Sequence, residues 1–366
     1  MSGGRPGWLR EFAEDAKATD QFIKHPHHVE LLALGLFGEA GSLLAEIKKG
    51  KREGPAYPSF KMKVQEEIGD FLWYYVRLVS VLQNNLLEEL DEQDRSKRQS
   101  RSKDEMDRIL KFGATVGTLA TAIRQNGKRS PEHAREALVQ VWTELKRVSE
   151  AAQILLSVAA RANVLKRASR WPTRSEPLPV FDDGYPYEEQ LPRRLRVEFL
   201  ERKRRDGPVV VLRINELNVG DRLTDNIEEP DEYRYHDVFH FGHAAFLGWS
   251  PVIRSLLRCK RKSRPSVDEN EDGGRAQVVE EAISAMVFSR AKDLRFFEDI
   301  DHLDYDLLKS IQGLVRGYEV ERVPLWQWEK AILESYAVFR KLRAKHGGRV
   351  LIDLRKRMLE YQGHGA

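Results

Sequence analysis

Glu39, Glu46, Glu67 and Asp70 fall on two successive stretches, HHVELLALGLFGEAGSLLAEIKKG and KMKVQEEIGDFLWYYVRLVSVL, and interrupt an otherwise apolar helical pattern in each. Carboxylates set in such a face are costly to keep ionised unless a positive charge sits among them. A hard cation that takes oxygen ligands, Mg²⁺ first and Mn²⁺ as its alternative, fits that donor set. Glu39 and Glu46 lie seven residues apart and Glu67 and Asp70 three apart. Each pair therefore projects from one side of its helix, and two antiparallel helices would aim both pairs into one crevice. The competing reading makes these acids solvated helix residues. Leu43, Leu44, Ile47, Ile68, Phe71, Leu72 and Tyr75 around them weigh against it. Glu66 is a further candidate, as ligand or as base.

A second cluster lies in YRYHDVFHFGHAAFLGWSP, where His236, His240 and His243 follow a spacing of i, i+4 and i+7. On one helix these imidazoles share a face, and the i, i+4 pair lets two of them reach one metal. Asp237 would complete the shell, with Glu280 or Glu281 from the start of a later helix, so His236, Asp237, His240 and Glu281 form a candidate site for a second divalent metal. Histidines on apolar faces are also common as core residues with satisfied nitrogens, and that reading stands beside the metal one.

Placing these residues requires a helical frame. A short helix is expected near Gly7 to Ala18, followed by the two acid-bearing helices and by apolar periodicity from Asp104 to Asn126. Ser130 and Pro131 read as N-cap and first residue of a long helix running to about Ser169. Long helices joined by short polar loops imply an antiparallel all-α bundle over residues 1–172. The proline-rich stretch PTRSEPLPVFDDGYPYEEQLP then reads as a linker, residues 173–192. Beyond it, RLRVEFLER and PVVVLRINELN alternate around RDGP as a β-hairpin, to which RVLIDLRKRM adds a strand. Helices are expected over Tyr233 to Leu247, Pro251 to Arg258, Ala276 to Lys292 and Leu325 to Lys345. The fold class is thus mainly α, with residues 193–366 a mostly helical α+β domain carrying a small antiparallel sheet.

Composition sets the outer limits. A chain of 366 residues suggests two domains. With 41% hydrophobic and 32% charged residues, it matches soluble globular proteins. No apolar run is expected to span a bilayer and MSGGRPGWLREFAEDAK lacks a signal-peptide core, so a cytoplasmic protein with no membrane partner is expected. Cys259 is the single cysteine, which excludes an intrachain disulfide and a multi-cysteine zinc site. Basic residues gather in RSKRQSRSK, LPRRLRVEFLERKRRDG and LRCKRKSRP; with a net charge of only +4 no nucleic-acid partner is expected. The stretch KRKSRPSVDENEDGGR has the make-up of a lid, a phosphate-contacting loop or a disordered loop.

LGLFGEAGSLLAEIKK, QEEIGDFLWYYVRL and VAARANVLKRASRWP, in that order, resemble the MazG family of nucleoside triphosphate pyrophosphohydrolases over roughly Trp8 to Pro172. The resemblance implies an all-α bundle with an ExxE and an ExxD helix around Mg²⁺, and a closing helix whose Asn163 and Lys166 face the nucleotide. It implies cleavage between the α- and β-phosphates, releasing a nucleoside monophosphate and pyrophosphate, and a homo-oligomer, dimer or tetramer. Glu39, Glu67 and Asp70 hold family positions, whereas Ser42 stands where the family usually carries a glutamate; Glu46, one turn on, is the candidate to compensate. Ser42, Lys49 and Arg170 join Asn163 and Lys166 as substrate-binding candidates, together with Trp73 and its neighbour Tyr74, whose rings either stack on a base or lie in the core. The second half, about Phe181 to Glu360, resembles the C-terminal domain appended to some MazG-like proteins. That resemblance supplies no activity, so two other readings remain: a nucleotide sensor or partner-binding protein with a weakened bundle site, and a metal-dependent hydrolase centred on the histidine cluster.

Overall fold

The computed structural model describes residues 7–95, 105–124, 131–172, 174–205 and 207–364. The chain divides into two compact units, Met1–Trp171 and Pro172–Ala366. The basic run at 96–103 and the expected cap at Ser130 lie outside the described residues.

The first unit contains helices α1 (Trp8–Ala18), α2 (His28–Glu53), α3 (Phe60–Leu82), α4 (Leu86–Arg95), α5 (Glu105–Arg124), α6 (Pro131–Ala151) and α7 (Leu156–Arg170). Leu32, Leu36, Leu43 and Ile47 of α2 pack with Val64, Ile68, Phe71, Leu72 and Tyr75 of α3, Phe112 of α5 and Trp142 of α6 in one core. By length and composition α2 is apolar enough to cross a bilayer, contrary to the expectation from sequence; its buried stripe instead serves this core. The expected helix from Pro131 to Ser169 is two helices. Gln153 takes a left-handed backbone, the Ile154 amide donates back to Ser149 O at 3.0 Å, and the Ser149 hydroxyl donates to Ile154 O. The resulting turn redirects α7 onto α3. Gly69 makes that approach possible, since a Cβ there would lie 2.7 Å from Ala159 O.

The second unit is built on a five-stranded antiparallel sheet of order β3-β2-β1-β4-β5, with β1 Arg194–Arg204, β2 Gly207–Ile214, β3 Leu217–Leu223, β4 Gly347–Asp353 and β5 Met358–Gly363. The expected hairpin pairs Phe199 with Leu212, and the late strand pairs Val350 with Val197. β3 and β5 were not expected. β3 is a largely exposed edge with little apolar alternation. Helices α8 (Asp237–Gly242), α9 (Pro251–Leu256), α10 (Pro265–Asn270), α11 (Gly274–Asp293), α12 (Tyr305–Leu314) and α13 (Leu325–Ala344) complete the unit. The long α13 buries Trp328, Ile332, Tyr336 and Phe339 against Val197, Phe199 and Val350 of the sheet and Phe239 of α8.

Two expected loops are ordered parts of this unit. In the stretch read as a linker, Asp182 is buried and paired with Arg193 at 2.7 Å and Arg254 at 2.6 Å. Burial opposes ionisation of Asp182, but these guanidinium groups and the Leu191 amide hold its pKa below the usual range. In the stretch read as a lid, Arg261 is fully buried and pairs with Asp272 and Glu319, each at 2.7 Å. Buried charges need partners of this kind, so both loops are fixed by the ion pairs they carry.

Candidate functional site

In the first unit α2 supplies Glu39 and α3 supplies Glu67 and Asp70, and one ligand atom from each lies within 4.8 Å of the others. All three are half-buried. Burial raises Glu39 to about 7, and the charges of Asp70 and Glu66 add to the shift despite Lys166 and Arg167. Glu67 is likewise pushed to about 7, by burial first and then by Asp70, Glu39 and Glu66. The trio is thus short of positive charge.

From the facing side, α7 brings Asn163 Nδ2 to 2.6 Å from Asp70 Oδ1. Lys166 Nζ lies 2.5 Å from Asp70 Oδ2 and 3.1 Å from Glu66 Oε1. Asn163 is buried, and its Oδ1 has no hydrogen-bond partner among the described residues. Glu66 also approaches Lys63 at 3.7 Å. Glu66 therefore stands beside the trio, clasped by lysines, rather than within it.

Glu46 takes no part in the group. Seven residues separate it from Glu39, about 10 Å along the helix axis, and its carboxylate accepts a hydrogen bond from the Tyr57 hydroxyl. Glu46 is therefore paired with Tyr57 and is not among the acids that converge. Ser42 itself is exposed. Lys49 lies over the Tyr57 ring at 4.3 Å, and Arg170 over Trp171 at 4.8 Å. Trp73 is buried, donates from Nε1 to Thr19 Oγ1 at 3.0 Å, and is covered by the Arg167 guanidinium at 3.9 Å. Its ring has no open face for a base. The half-buried aromatic next to the acids is Tyr74, whose pKa burial and then Glu39 raise. Arg167 was not anticipated, although its place beside Lys166 was a usable signal.

In the second unit the expected single helix from Tyr233 to Leu247 is a 3₁₀ turn (Tyr233–Tyr235), α8 and a π-helical turn (His243–Leu247). Ligand atoms of His236, Asp237 and His240 nevertheless converge within 4.8 Å, as do those of His240, His243 and Glu280. Of the residues proposed from sequence, His236, Asp237 and His240 thus converge, and Glu281 Oε2 lies 3.3 Å from His240 Nε2. Glu280 proves to be the anchor. It accepts from His243 Nδ1 at 3.0 Å, Ser250 Oγ at 2.8 Å and the Val252 amide at 2.9 Å. Burial works against its charge, but His240 and His243 outweigh burial and hold it near 2. The sequence offered Glu280 and Glu281 side by side, and their opposite burial separates their roles.

A family model described as the MazG C-terminal domain matches residues 176–365, just over half of the chain, and the chain belongs to that family. Comparison with curated proteins and with solved structures gives no match.

Proposed function

We propose that the first unit is a metal-dependent nucleoside triphosphate pyrophosphohydrolase, converting a nucleoside or deoxynucleoside triphosphate and water into the monophosphate and pyrophosphate. The observation that carries this reading is the convergence of Glu39, Glu67 and Asp70 opposite Asn163 and Lys166. The donor set suits Mg²⁺ or Mn²⁺: three carboxylates this close, two with pKa values near 7, repel one another unless a cation lies between them. Bound there, the cation would neutralise phosphate charge and lower the pKa of a bound water.

The chain's own residues supply the rest. Asn163 donates to one Asp70 oxygen and Lys166 to the other, so the carboxylate is oriented from α7. Lys166, which bridges Glu66 and Asp70, would exchange a carboxylate for a phosphate oxygen. Glu66, at the edge of the trio, would accept the proton of an attacking water. Ser42, exposed on α2, leaves the site one carboxylate short of the family pattern. Leu34 and Phe37, 69% and 54% exposed on α2, provide an apolar surface that pairing into a dimer or tetramer would cover.

Pyrophosphate release from a panel of ribo- and deoxynucleotides with Mg²⁺ or Mn²⁺ tests the reading. The wild type is expected to turn over at least one of them, and Glu67→Gln to lose at least about 100-fold in rate, the scale of losing even an outer partner of a metal ligand. Nucleotide binding by the wild type without turnover would replace the enzyme by a nucleotide sensor.

A further inference from the structure

The polar cluster of α8 and α11 contains two close approaches that hydrogen bonding does not account for. His236 Nε2 lies 3.3 Å from Asp237 Oδ1, and His240 Nε2 lies 3.3 Å from Glu281 Oε2, yet neither contact is directed as a hydrogen bond. His240 is fully buried, with Nδ1 3.0 Å from Glu280 and Nε2 3.3 Å from Glu281 but neither pair aligned as a hydrogen bond. Two ligands of a common ion behave in this way, because their lone pairs point at the ion and not at each other. A tetrahedral zinc with ligands at about 2.0–2.1 Å separates its donor atoms by about 3.3–3.4 Å, which is the spacing of both contacts.

The outer groups point to the same atoms. His236 Nδ1 faces Tyr233 O at 2.9 Å, and His240 Nδ1 faces Glu280 Oε1 at 3.0 Å. A carbonyl and a buried carboxylate behind Nδ1 leave Nε2 as the ligating nitrogen of each ring. Tyr233 stacks flat on His236 with ring centres 4.3 Å apart, which fixes the imidazole plane. Glu280 is occupied by His243, Ser250 and the Val252 amide, and so serves as a support and not as a ligand.

We propose that the second unit binds one zinc-class divalent ion through His236 Nε2, His240 Nε2, Asp237 and Glu281. The Glu281 side chain is 45% exposed while those of His236, Asp237 and His240 are nearly closed off. Glu281 is therefore the exchangeable ligand, at the edge where water or a substrate enters.

Titration of the metal-free full-length chain with Co²⁺ and Zn²⁺, under excess Mg²⁺ to saturate the bundle carboxylates, tests this. One equivalent of Co²⁺ with the intense visible absorption of a tetrahedral site is expected, displaced by Zn²⁺ and lost in His236→Ala. Glu281→Gln, at a half-exposed position that tolerates substitution, is expected to fold and to weaken Zn²⁺ affinity about 10–100-fold. Absence of stoichiometric Co²⁺ uptake by folded wild type overturns the site. An unchanged affinity in Glu281→Gln overturns the assignment of the exchangeable ligand, and a weak octahedral spectrum overturns the zinc-like geometry.

Discussion

The two units gather carboxylates in opposite ways. In the bundle, Glu39, Glu67 and Asp70 crowd together half-buried, and burial with mutual repulsion lifts Glu39 and Glu67 to about 7. In the second unit Glu280 is more deeply buried, yet His240 and His243 hold it near 2. Burial alone therefore does not decide the charge of an acid; the partners placed around it do. In the bundle Lys166 and Arg167 do not outweigh burial and repulsion at Glu39, and the oxygen set suits a hard cation, whereas the second unit provides imidazoles and supports them from behind, the arrangement that suits a softer ion.

The sharpest way to break this contrast is Glu280→Gln. If Glu280 is the charged anchor of the second unit, removing its charge leaves His240 and His243 facing a neutral amide in a buried site. Loss of about 3–5 kcal/mol is expected, as for other buried pairs broken from one side, read as a fall in the unfolding midpoint of that unit. The bundle should be unaffected. A neutral result would show that Glu280 serves the unit as a hydrogen-bond acceptor only.

Lys166→Met probes the other side. It removes a cation that contacts both Glu66 and Asp70, so nucleotide turnover is expected to fall about 100-fold, the scale of one electrostatic donor lost from a reacting phosphate or oxyanion. Steady-state rates at saturating Mg²⁺ measure it. An unchanged rate would move the phosphate away from α7.

Proton linkage separates the clusters further. Glu39 and Glu67 have raised values in the folded chain, so protons compete with a cation below about pH 7. Mg²⁺ affinity should rise about tenfold or more from pH 6 to pH 8 and level off above, with protons released on binding at pH 6.5; calorimetry in buffers of different ionisation enthalpy detects both. Without metal the sign reverses for stability. The contribution of these two acids is fully present below 4.5 and is lost as the pH rises through about 7. Affinity independent of pH would place the ion elsewhere.

Trp73→Phe should have the smallest effect. The ring is buried and its Nε1 bonds Thr19, so a stability loss of about 1 kcal/mol with an unchanged KM is expected. A large rise in KM would restore the base-stacking role that the geometry denies.

The elements that carry both clusters were legible because apolar periodicity is a local property of the chain. α2, α3, α11, α13 and the β1–β2 hairpin all announce themselves in that way. The spacing of Glu67 and Asp70, and of His236 and His240, could likewise be read as shared faces before any packing was known. The break at Gln153 was not legible, since residues on both sides favour helix and only the Ser149–Ile154 contacts turn the chain. Nor was the burial of Asp182 and Arg261, because charged, proline-rich stretches look alike whether they are solvated or locked by ion pairs.

What the sequence determined was the inventory: acids on two apolar helices, imidazoles one turn apart, and the helical frames that present them. Tertiary structure decided membership. It paired Glu46 with Tyr57 and buried Trp73, set Glu66 beside the trio, and divided Glu280 from Glu281 into anchor and edge. The reason is physical: helical spacing fixes only the direction in which a side chain leaves its own helix, whereas charge state and access depend on atoms brought in from distant parts of the chain.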